Sequence, residues 1–312
     1  MIPETDILPY SCAELATGPW LVFSPHPDDE SFGMGGTLLL AKQKAITVSL
    51  IIVTDGSLGV QNACAANSII NDRKNELINA AQQLGIKNLY FLDLPDRKVT
   101  INKQIISKVQ TIIEKVSPAS IFFPSVLEPH PDHRATALLA AQVLSQLNQP
   151  YSAYSYDISV QSTVNTLIDI SSVQKKKVEI MELYESQLSQ NNYIDVINAL
   201  NKARTYTLDS RVEFAEGFFQ YKNFSQFSLA QQIYTQLELF WQSQQVAEEN
   251  LIDNGLKGDN NQLSEELYDL KEHYKELSSQ HEKLKAEIKA IYGSRTWKFL
   301  CTLRSFLVSK RG

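Results

Sequence analysis

Residues 21–36 read Leu-Val-Phe-Ser-Pro-His-Pro-Asp-Asp-Glu-Ser-Phe-Gly-Met-Gly-Gly. The opening run, LVFS (21–24), is short, apolar and aromatic, the signature of a buried strand. A turn dense in imidazole and carboxylate follows at once. The same order returns a hundred residues later, where SIFFP (120–124) precedes Pro129-His130-Pro131-Asp132-His133-Arg134. Between these copies TVSLIIVT (47–54) and LYFLDL (89–94) also read as buried strands, with helices expected at about 35–44, 70–84, 102–116 and 134–147. Strand–helix alternation of this kind predicts an α/β fold, a mostly parallel sheet with helices on both faces. Further on, AYSYDISV (153–160) and VNTLIDI (164–170) read as strands, and about 172–189 and 193–203 as helices.

The 312 residues are 43% hydrophobic and 21% charged, a globular composition. Net charge is −6, against the basic face that nucleic-acid binding needs. Three separated cysteines without a CxxC pair exclude a disulfide framework or cysteine zinc site as the organising feature. The start, MIPETDILPY, is acidic and lacks a secretory pattern, so a cytoplasmic location is expected. Residues 226–292 read as helical. Within them Leu263, Leu267, Leu270, Tyr274, Leu277, His281, Leu284, Ile288 and Ile291 alternate spacings of four and three. That heptad seam predicts a coiled coil over 263–291, and with it self-association. Residues 293–312 hold five basic side chains and no acid, so the remainder carries −11.

Three of the five histidines fall in the two turns, each just after a predicted strand. In parallel sheets ligand sites form outside the carboxyl ends of the strands, so the turns are expected to meet. Imidazole and carboxylate suit zinc and related first-row ions. The turns supply more donors than the three a catalytic site uses. A surplus carboxylate can act as general base, and a surplus histidine as acid or oxyanion stabiliser. A lone His-Pro-Asp is most often a turn whose Asp caps the next helix, and two such turns holding three of the five histidines are harder to dismiss in that way. Gly33-Met34-Gly35-Gly36 reads as a tight turn opening a helix at 37–44. Asp93 and Asp96, flanking Pro95, fit either the border of a pocket or turn chemistry.

At these residues the chain resembles the LmbE/PIG-L-like N-acetylglucosamine deacetylase family. His26-Pro27-Asp28-Asp29-Glu30 with the following glycines looks like the first family signature, and His130-Pro131-Asp132-His133 like the second. Thr54-Asp55-Gly56, Arg73 with Glu76, Leu84-Gly85 and Tyr184-Glu185-Ser186-Gln187 resemble the family in order and spacing. The resemblance covers about 8–220 and makes 1–225 the enzymatic domain. It implies a Rossmann-like fold and a divalent metal, usually zinc, with Fe2+ or another divalent ion as alternatives. His26, Asp29 and His133 would be the metal ligands and Asp28 the general base. A protonated His130, oriented by an Asp132 hydrogen bond, would be the acid or oxyanion group. Arg73 would contact substrate, with Glu76 one turn on as its salt-bridge partner. The implied reaction is hydrolysis of the N-acetyl amide of an N-acetylated sugar, nucleotide- or lipid-linked, releasing acetate.

Ser294-Arg295-Thr296-Trp297-Lys298 resembles a segment following coiled coils in bacterial glycosyltransferases of surface-polysaccharide assembly. Its interleaved basic and apolar residues fit peripheral docking on the inner face of the plasma membrane or on such a glycosyltransferase. Two other readings stay open: a non-haem iron oxygenase, because two histidines and a carboxylate also form its triad, and a non-catalytic coiled-coil scaffold.

Overall fold

The structure is a computed structural model. It describes residues 3–58, 66–147, 151–189 and 191–221, and parts of 229–242. The chain divides into two units, 1–245 and 246–312, and every described residue lies in the first. The expected coiled coil at 263–291, the tail at 293–312 and Cys64 lie outside the described residues.

Seven strands form one sheet: β1 (Trp20–Ser24), β2 (Val48–Thr54), β3 (Ile86–Leu94), β4 (Ser120–Pro124), β5 (Ser152–Tyr156), β6 (Thr166–Asp169) and β7 (Ala215–Tyr221). Their order is β3-β2-β1-β4-β5-β7-β6. The first five are mutually parallel, and β7 runs antiparallel between β5 and β6. The architecture is thus Rossmann-like. β7 escaped the sequence reading: it is interrupted by Gly217 and pairs with β5, about sixty residues away.

Helices α1 (Asp29–Gln43), α2 (Ala66–Leu84), α3 (Lys103–Val116), α4 (Pro131–Leu144), α5 (Gln174–Met181), α6 (Glu185–Leu188) and α7 (Tyr193–Ala203) cover the sheet. Alternate residues of β1 feed two cores. Trp20 and Val22 pack with α1, α2, α5 and α7, whereas Leu21 and Phe23 pack with α3 and α4. Burial on both faces explains why these strands read as unbroken apolar runs. In α3, Ile106, Val109, Ile112 and Ile113 make the buried stripe, and the Asn102 side chain caps its start by accepting the Ile105 N–H.

Two helix expectations are corrected. The glycine run opens no turn; α1 begins at Asp29 and continues through it, with non-helical backbone only at Met34 (φ −141°, ψ 21°). The glycines bring α1 close to its neighbours, and a Cβ at Gly33 would meet the Tyr156 ring at 2.5 Å. At the kink the freed N–H groups of Gly36 and Thr37 donate to Glu216, which Lys177 holds at 2.7 Å. The single helix expected at 172–189 is instead α5 and α6, parted at Tyr184, whose hydroxyl donates to buried Glu30. Among the described residues no helix is long and apolar enough to cross a membrane.

Candidate metal centre

The sheet order reverses between β1 and β4: the chain leaves β1 towards β2 on one side and returns to β4 on the other. Outside the carboxyl ends of such a strand pair lies the crevice where α/β folds take ligands. The chain after β1 carries His26 to Asp29, the last of which opens α1, and the chain after β4 carries Glu128 to His133, the last three in the first turn of α4. The first loop is tied down from both sides. The Thr54 N–H and hydroxyl donate to Pro25 O, and the Ser24 hydroxyl donates to His26 O.

Here the two turns converge. Asp29 Oδ2 lies 3.0 Å from His26 Nδ1 and 3.3 Å from His133 Nε2. Each ring is held at its other nitrogen by a separate carboxylate. Asp132 Oδ2 lies 3.2 Å from His26 Nε2, and Glu128 Oε2 lies 3.1 Å from His133 Nδ1. Glu128 is fixed in turn by the N–H groups of Ile158 and Ser159, at 2.7 and 3.0 Å from its Oε1. His130 completes the cluster: its ring centroid is 4.7 Å from that of His26. One nitrogen from each of His26, His130 and His133 lies within 4.8 Å of the others, as do single donor atoms of His26, Asp96, His130 and Asp132.

Burial alone would lower the His26 pKa, but the neighbouring carboxylates of Asp132, Asp29 and Asp96 hold it well above the ordinary value. His133, also opposed by burial, is raised to about 9 by Asp29 and Glu128. Burial would raise Asp29, yet His133 and His26 hold it well below the usual range. The carboxylates Asp29, Asp96, Asp132 and Glu128 thus demand positive charge at this point. Asp96 Oδ1 is buried without a hydrogen bond, 3.6 Å from His26 Nε2. An orphaned oxygen, crowded carboxylates and convergent imidazoles fit a divalent first-row cation. The carboxylate behind each histidine matches the arrangement that orients metal-binding imidazoles.

Asp28 stands beside this cluster on the wall of a cavity of about 550 Å³. Burial pushes its carboxyl up to about 7, against the pull of Arg73, whose Nη2 donates to Asp28 Oδ2 at 2.9 Å. Arg73 also donates to Gly56 O. Gly56 has φ +65°, and a Cβ there would meet Arg73 Nη1 at 2.8 Å, so both backbone and contact call for glycine.

Several expected pairings differ in the structure. Arg73 does not pair with Glu76; it turns inward to Asp28, and Glu76 instead accepts from the Ser186 N–H and hydroxyl. The Asp132 carboxylate does not orient His130. It faces His26 and accepts the Arg97 N–H at 2.7 Å, because His130 caps α4 and its Nδ1 accepts the Asp132 N–H. That bond leaves the His130 proton on Nε2, and burial with the nearby His26 and His133 lowers its pKa to about 4. In this tautomer Nε2 is the ring nitrogen of His130 left to donate. Asp96 belongs to the site rather than to turn chemistry alone. Glu128 was missed, although it stands five residues before His133 and four past the end of a predicted strand.

A family model described as PIG-L, GlcNAc-PI de-N-acetylase, matches residues 21–144. The diacetylchitobiose deacetylase of Thermococcus kodakarensis is 27% identical over 188 residues, 55% of this chain and 70% of that protein. The probable N-acetyl-alpha-D-glucosaminyl L-malate deacetylase 2 of Bacillus cereus is 33% identical over 135 residues, 41% of this chain and 61% of the relative. This second match therefore spans less than two thirds of its relative. The solved structure of N,N'-diacetylchitobiose deacetylase from Pyrococcus horikoshii, complexed with its inhibitor MPG, superposes with a TM-score of 0.58 at 24% identity. It covers 65% of this chain and 83% of that one, a likeness of fold. The two histidine–carboxylate turns both lie inside the matched segment, and residues 21–144 are a PIG-L (LmbE-like) deacetylase domain.

Proposed function

We propose that this chain is a zinc-dependent N-deacetylase that hydrolyses the acetyl amide of an N-acetylated, GlcNAc-type sugar to acetate and a free amine. One observation carries the reading: two histidines aim one nitrogen each at a single Asp29 oxygen, each is braced behind by its own carboxylate, and a cavity opens beside them. His26, Asp29 and His133 would hold the ion. Bound there, it supplies Lewis acidity that lowers the pKa of water and polarises a carbonyl.

The remaining steps fall to the chain's own groups. Asp28, raised to about 7 and steered by Arg73, accepts the water proton at its carboxylate. His130, with its proton on Nε2, donates a hydrogen bond to the oxyanion that develops on the acetyl carbon. Asp28, protonated in the first half, is the group placed to return that proton to the leaving amine. Arg73 keeps Asp28 in register and lines the pocket. The relatives support an amino-sugar substrate through the activities in their names. The tail's resemblance extends the proposal to surface-polysaccharide assembly, with the coiled coil joining copies of the chain.

The first test is elemental analysis of the purified protein beside His133→Ala. About one zinc per chain, largely lost in the variant, is expected. Iron in place of zinc, with activity that requires oxygen, would favour the oxygenase reading. Retained metal without acetate release from any N-acetylated sugar would favour the scaffold.

A further inference from the structure

The catalytic cavity holds one cation whose arrangement the reaction above does not use. Arg97 follows Asp96 in the turn Pro95–Lys98, and its backbone is left-handed at φ +60°, uncommon for a residue with a side chain. The turn is pinned to the centre, because the Arg97 N–H donates to the same Asp132 oxygen that faces His26. Its side chain lines the cavity and is exposed. The site offers carboxylates on Asp28, Asp29, Asp96 and Asp132. Among the described residues the Arg97 guanidinium pairs with none of them, whereas Arg73, Lys177 and Arg204 each hold an acid within 3 Å. A guanidinium presents a planar fork of donors that matches phosphate and carboxylate oxygens. Fixed next to the reacting centre and left unpaired, it is placed for an anion that the substrate brings. The cavity, at about 550 Å³, is large enough for a drug-sized ligand.

We propose that the substrate is an anionic glycoconjugate, an N-acetylhexosamine carrying a phosphate or carboxylate beyond the reacting sugar, and that Arg97 binds that oxyanion. The inference rests on the deacetylase reading for the sugar, but the anion subsite has its own readout. Calorimetry on the full-length, metal-loaded protein compares N-acetylglucosamine 1-phosphate, a glycolic-acid glycoside of N-acetylglucosamine and its neutral methyl glycoside. Wild type is expected to prefer an anionic sugar over the neutral one by roughly 10- to 100-fold in Kd. The preference should shrink as salt rises. Whichever anion gains more identifies phosphate or carboxylate. Arg97→Gln is expected to abolish the preference and Arg97→Lys to keep part of it. Every substitution retains the backbone N–H to Asp132, and unchanged metal content shows that the centre remains assembled.

Equal affinity of wild type for charged and neutral sugars would overturn the proposal. So would an undiminished preference in Arg97→Gln, the result expected if phosphate simply sat on the metal, and so would the absence of anion binding at millimolar concentration. Preference for the anion without acetate release would sink the deacetylase reading while leaving the anion subsite standing.

Discussion

Lys177 and Glu216 lie 2.7 Å apart and are each about 1% exposed; His26, Asp29 and His133 are buried nearly as deeply, at 7%, 4% and 4%. The two clusters answer burial differently. Lys177 has one acid, and Glu216 spends its two oxygens on Lys177 and the N–H groups of Gly36 and Thr37. Arg204 and Asp157 form a second such pair nearby, at 2.7 Å. At the carboxyl ends of β1 and β4, by contrast, carboxylates outnumber the cations that could neutralise them. Asp96 keeps an oxygen without a hydrogen bond, and Asp28 is driven to about 7. Balanced buried charge holds a helix in place. Unbalanced buried charge waits for something to arrive.

That contrast can be tested by damaging each side. The largest effect is expected from Asp28→Asn, which removes the proton acceptor and should cut acetate release by about 10²- to 10⁴-fold while metal stays bound. The wild-type rate should rise with pH as this carboxyl ionises, at or below about pH 7, because a bound cation lowers its value further. Near-normal turnover by the variant would remove Asp28 from the chemistry. Next comes Lys177→Met, which leaves Glu216 buried without its countercharge. Denaturant titration should show about 3–5 kcal/mol lost, with metal per folded chain unchanged. If metal were lost along with stability, the two clusters would not be separable. The smallest effect is assigned to Glu128→Gln. The amide keeps the shape but weakens the brace on His133, so metal affinity in a chelator competition should fall roughly 10- to 100-fold. An unchanged affinity would make Glu128 a purely local anchor for Ile158 and Ser159.

Strand identity was legible where strands are buried on both faces, because LVFS, TVSLIIVT and SIFFP have no polar alternation to blur them. The convergence of the two turns was legible for the same reason: parallel strands put their carboxyl ends on one side. What stayed hidden depends on contacts far apart in sequence. The partners of Glu128 are the N–H groups of Ile158 and Ser159, thirty residues on. α1 hid behind its glycines, whose poor helix propensity is outweighed by close packing against Tyr156 and Ile170 and by the carboxylate of Glu216, 180 residues from Gly36. Arg73 read as a partner for Glu76 because sequence spacing shows the neighbour along a helix, not the acid across the cavity.

The Glu216 bridge also bears on where this protein can be cut. The segment matched by the family model stops at residue 144, yet the helix that begins at Asp29 has its kink closed by a side chain from β7. A fragment excised at 144 would leave two helix N–H groups bare and remove the Tyr156 wall against Gly33. The portion matched by that model is therefore smaller than the portion that must travel together. A transplant or fusion that preserves the centre has to carry the chain through Tyr221.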